Sequence, residues 1–121
     1  MAVFQKIKWS PDAERQLTRA MNDAQEVAWL KNRVDSGIFS LYQKDTGYAV
    51  IGADFEELII VAVAGRDMID NVASLAETLA RANGFYKIRF HTKRKGFFKI
   101  VSRYGYRLRE YVFERVLFDG R

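Results

Sequence analysis

The sequence predicts an α/β (α+β) fold, with a mixed central sheet flanked by helices. Three observations carry that expectation. The chain has 121 residues, enough for one hydrophobic core and too few for two stable ones, so residues 1–121 are expected to form a single domain. Residues 58–64 read Leu-Ile-Ile-Val-Ala-Val-Ala without interruption, which suits a central strand buried on both faces. The hydrophobic period also switches repeatedly between about 2 and about 3.6 residues, giving the order β-α-α-β-β-β-α-β-α-β.

Val3, Phe4, Ile7 and Trp9 alternate with polar residues closely enough for a first strand. Ser10-Pro11 follows as an N-cap with proline at the first helical position, where its missing N–H is harmless. Ala13, Leu17, Ala20, Met21 and Ala24 then recur at helical spacing, with Asn22-Asp23 as a break. The pattern resumes through Val27, Leu30 and Val34 and stops at Gly37. Residues 38–43 and 48–51 are β-rich runs joined by a hairpin turn over 44–47. A second turn over 53–56 leads into the apolar run, which Gly65 and Arg66 end.

Val72, Leu75, Ala76, Leu79 and Ala80 define the next helix, capped by Asp70 or Asn71 and stopped by Asn83-Gly84. Tyr86, Ile88 and Phe90 alternate with Lys87, Arg89 and His91 as a half-buried strand. Lys93-Arg94-Lys95-Gly96 is a basic loop, and Phe97, Ile100, Val101 and Tyr104 place a short helix that ends at Gly105. Residues 106–118 read as a long closing strand.

Composition excludes several function classes. The chain has no cysteine, hence no disulfide, thiolate metal site or thiol nucleophile. His91 is its one histidine, so no metal site is expected. The seven-residue apolar run is far below the ~20 residues that cross a bilayer. The N-terminus lacks a signal-peptide pattern, and a cytoplasmic setting is expected. Charge is uneven. Nine basic and no acidic residues lie between Lys87 and Arg109, within a net charge of +5. Such a segment suits an anionic partner: nucleic acid, a phosphorylated cofactor or an acidic protein surface. Lys93, Arg94 and Lys95 precede the late helix, and Lys99 and Arg103 are four apart on it, so these five are the expected anion-binding set.

The element order resembles the GNAT (Gcn5-related N-acetyltransferase) superfamily over nearly the whole chain. The second half carries most of the likeness: a buried strand, a helix, a strand, a late helix, and the step Gly105-Tyr106 where the family has a Gly-Phe ending. A further resemblance is to small phage-encoded proteins on this fold, some linked to virion assembly. It would place the chain in a host cytoplasm or a virion.

The resemblance implies a cofactor site. Family members bind acetyl-CoA where the central strand meets the next helix, which here assigns Val63, Ala64, Gly65, Arg66 and Asn71. The family pattern Arg/Gln-x-x-Gly-x-Gly/Ala falls on residues 66–71. Arg66 fits it, but Ile69 and Asn71 stand at the small positions, beside Asp67 and Asp70. Branching at Ile69 hinders backbone approach and the carboxylates repel phosphate, so acetyl-CoA is expected to bind weakly or not at all.

The family's catalytic tyrosine would lie in the late helix. Val101 occupies the expected spacing, leaving Tyr104 as the nearby candidate, with His91 as a candidate base. Two readings result. The favoured one is a catalytically degenerate GNAT-fold protein, with no cofactor expected, that acts in binding or virion assembly through its basic C-terminal third. The alternative is an acetyl-CoA-dependent N-acetyltransferase.

Overall fold

The computed structural model describes residues 3–66 and 68–90, together with Arg103, Tyr106 and Arg115. Its elements are β1 (Gln5–Ile7), α1 (Pro11–Met21), α2 (Ala24–Asp35), β2 (Ser40–Lys44), β3 (Gly47–Asp54), β4 (Glu57–Ala64), α3 (Met68–Asn83) and β5 (Lys87–Phe90). The expected late helix and closing strand fall outside the described residues, apart from the three isolated positions.

The helix boundaries follow from local chemistry. Ser10 Oγ accepts from the Ala13 N–H at 3.1 Å, and Pro11 opens α1. Asn22 closes α1 in the left-handed region at φ 52°, and Asp23 caps α2 by accepting from the Glu26 N–H. The Asn22-Asp23 break therefore separates two capped helices, as the sequence predicts. After α2, Gly37 at φ 81° lets Ile38 N–H reach the Arg33 carbonyl at 2.9 Å while Gly37 N–H reaches Val34. That paired closure satisfies the last carbonyls of the helix. One expectation is corrected at α3. The helix starts at Met68, two residues before the expected Asp70 cap. Met68 is drawn in because its side chain is buried in the core.

The sheet order is β1-β2-β3-β4-β5, antiparallel through β4, with β5 parallel to β4. The run at 58–64 lies within β4, between β3 and β5, as expected. Both hairpin turns are shorter than the sequence predicts. Lys44 pairs with Gly47 across Asp45-Thr46, and Asp54 pairs with Glu57 across Phe55-Glu56.

Two apolar layers enclose the sheet. On one face, Ala13 and Leu17 of α1 and Val27 and Leu30 of α2 pack on Leu41, Tyr48, Val50, Ala62 and Ala64. On the other, Met68, Val72, Ala76 and Ala80 of α3 pack on Ala49, Ile51, Leu58 and Ile60. Tyr106 is half-buried against this second layer. β4 serves both layers because its register with β3 shifts. Val50 pairs with Ala62 and Ile51 with Ile60, so Val61 has no register partner. This β-bulge moves the buried set of β4 from the α3 layer to the α1–α2 layer halfway along the strand.

Candidate functional site

The C-terminal half of β4 and the start of α3 bring Val63, Ala64, Gly65, Arg66 and Asn71 together. Val63 faces the α3 layer, Ala64 is buried against α1 and α2, and Arg66 is exposed at the turn. The pairing described between β4 and β5 runs from Glu57 to Ile60. β4 runs directly into the turn before α3, where first-turn amides and the helix dipole favour negative charge.

The turn itself is held by backbone crowding. Gly65 has φ 121°, and a Cβ there would lie 2.7 Å from the Gly47 Cα. A Cβ on Gly47 would in turn collide with the Met68 side chain. The two glycines thus let the end of β4 and the start of α3 close over the start of β3. Asn71 is fixed as well, since Lys44 Nζ donates to its Oδ1 at 2.7 Å and lies 5.9 Å from the Phe4 ring centroid. Lys44, Gly47, Met68 and the bulge at Val61 were not expected from sequence. Each acts through a neighbour distant along the chain, and Gly47, read only as part of a turn, was the one legible trace.

A second polar cluster pins α1 to the same end of the sheet, on the opposite face. The Tyr48 hydroxyl donates to Asp12 Oδ2 at 2.5 Å and accepts from Gln43 Nε2 at 3.2 Å. Arg15 also pairs with Asp12. Burial, reinforced by the Asp12 carboxylate, raises the Tyr48 pKa above its ordinary value of 10.0. Burial also raises that of Tyr106, helped by the negative charge of Glu77.

The residue pattern gives an uneven fit to acetyl-CoA. Exposed Arg66 suits one anionic group. Gly65 is needed for packing within the chain, Ile69 and Asn71 are half-buried side chains at the small positions, and Asp70 is exposed in the first turn. The turn thus lacks the glycine cradle of the family pattern. His91, Tyr104, Lys93, Arg94, Lys95 and Lys99 lie outside the described residues, while Arg103 is exposed. Among the described residues, no group of three or more His, Cys, Asp or Glu side chains could hold a metal ion. None of the described helices is long and apolar enough to cross a membrane.

No protein-family model matches the sequence, and no curated protein matches it. Solved structures do. A probable acetyltransferase superposes with a TM-score of 0.67 at 11% identity, covering 100% of this chain and 99% of that one. An acetyltransferase of Trypanosoma brucei gives 0.67 at 10% identity, covering 97% and 100%. A GNAT-family acetyltransferase of Streptococcus pneumoniae gives 0.60 at 12% identity, covering 95% and 98%. At these identities the likeness is one of fold: a mixed sheet flanked by helices, arranged as in GNAT structures.

Proposed function

We propose that this GNAT-fold chain is an acyl-CoA-dependent N-acyltransferase that takes acetyl-CoA along the C-terminal half of β4. The observation that carries the reading is the bulge at Val61, from which β4 leads directly into the start of α3. The fold shared with acetyltransferases over nearly the full length of both chains favours this reading over binding or assembly without chemistry. Nothing in the described fold speaks for a virion role.

Main-chain groups of Val61 and Val63 would hold the pantetheine amides, and Arg66 one phosphate. When bound, acetyl-CoA supplies an activated thioester for attack by an amine. The chain's part is to hold the arm extended and, through the apolar side chains on β4, to keep water away from it. Tyr104 is assigned as the acid and His91 as the base for the proton transfers. The departures at Ile69, Asp70 and Asn71 make the affinity low. Titration of the full chain with acetyl-CoA, followed by amide NMR, tests the reading. Saturable shifts centred on residues 61–66 are expected, and absence of binding at millimolar cofactor would overturn it.

A further inference from the structure

We infer that the chain forms a two-fold dimer in which Phe55 of each copy enters an apolar groove on the other. Phe55 sits at the tip of the β3–β4 hairpin at φ 54° and is 97% exposed. Left-handed backbone is unfavourable for a bulky aromatic, and asparagine or glycine would occupy this position with little strain. Its ring gains almost nothing from its own chain in return. Neither local conformation nor the core therefore accounts for a phenylalanine here.

The matching recess lies at the foot of the same hairpin. Ile38, Tyr42, Ile51, Leu58, Leu79 and Asn83 line a groove of about 150 Å³ between the sheet and the C-terminal half of α3. A space of that size, lined mainly by apolar side chains with Ser40 and Asn83 among them, accommodates one aromatic ring. Ile38 stands at the groove with 60% of its surface exposed. Ala53 and Leu58, two positions before and three after Phe55, also belong to the groove, so knob and recess are neighbours on one surface.

That adjacency is what a two-fold interface requires, because such an interface must be complementary to itself. Exposed Glu56 adjoins the knob, and exposed Lys87 pairs in register with Glu57, two positions after Phe55, so opposite charges flank the hairpin tip. A foreign partner would account for the knob or for the recess, whereas a second copy accounts for both.

Sedimentation velocity of the full chain from micromolar to millimolar concentration, with methyl NMR of the same samples, tests the dimer. The wild type should sediment increasingly as a dimer, and ring-current shifts should grow at the Ile51, Leu58 and Leu79 methyls. Phe55→Asn should stay monomeric at every concentration, with unchanged circular dichroism and static groove methyls. A wild type that is monomeric throughout overturns the inference. So does a dimer that persists in Phe55→Asn, or one that leaves the groove methyls unmoved.

Discussion

Ile60 and Ala62 are two residues apart on β4, both are buried, and they lie in opposite layers of the molecule. Ile60 packs with Ala76 and Ala80 of α3, whereas Ala62 packs with Ala13 and Leu17 of α1. In a regular strand, side chains two apart share a face. Val61, unpaired between them, reverses the sides.

Deleting Val61 is expected to preserve the fold. Deletion makes Ile60 and Ala62 adjacent, and adjacent strand residues face opposite sides, so Leu58 and Ile60 keep the α3 layer and Ala62 and Ala64 keep the α1–α2 layer in a regular register. A cooperative thermal transition is the expected result. Val61→Ala should keep a cooperative transition with a loss of about 1–2 kcal/mol, since the side chain is half-buried. Non-cooperative unfolding of the deletion variant would refute the role given to the bulge.

Gly65→Ala is expected to destabilise the protein by roughly 1–3 kcal/mol or more, through a left-handed φ and the approach to Gly47. Gly47→Ala should be less damaging when Met68 is shortened, because the obstacle is a side chain. A double-mutant cycle between Gly47→Ala and Met68→Ala should give a coupling of about 0.5–3 kcal/mol in urea melts. Strict additivity would show that the crowding is absent.

Alkaline stability should depend on Tyr48. Its folded pKa lies above 10.0, so the protonated hydroxyl favours the folded state. That contribution is complete below the unfolded tyrosine pKa of about 10 and is lost as pH rises through the folded value. Tyr48→Phe should remove part of the stability decline above pH about 10. Tyr106 shifts in the same direction and should leave a residual decline. Guanidinium melts between neutral and strongly alkaline pH would reveal it, and an unchanged slope in Tyr48→Phe would count against the burial and Asp12 contact that hold the Tyr48 proton.

The assignments at Tyr104 and His91 are testable by kinetics once an amine acceptor is found. Tyr104→Phe and His91→Ala should each lower kcat by about 10²- to 10⁴-fold, with little change in acetyl-CoA affinity. Full activity in both variants would leave the chemistry to water and substrate.

The legible parts of this fold are those governed by near neighbours. Ser10-Pro11, Asn22-Asp23, Gly37 and Gly84 mark helix ends because caps are local hydrogen-bonding problems, and their positions agree with the structure. The apolar run at 58–64 announced a strand covered on both faces. Its bulge was hidden, since the alternation of burial continues unbroken across Val61. The start of α3 was misplaced because Met68 is recruited by Gly47, 21 positions earlier. In the candidate site, Arg66 and the departures at Ile69 and Asn71 were readable from spacing. The Lys44–Asn71 hydrogen bond was not, because it joins groups 27 residues apart.

The pairing order of the strands carries a consequence for how the chain reaches this structure. β2, β3 and β4 join through two-residue turns and meet residues close to them in sequence. β5 reaches β4 only after the 16-residue α3 has been laid down between them. Closing the larger loop costs more chain entropy before any pairing rewards it. The meander should therefore organise early, with Arg89 and its partners Asp54 and Glu57 joining late. Substitutions at Arg89 would then act mainly on the unfolding rate, and those at Val50 on the folding rate.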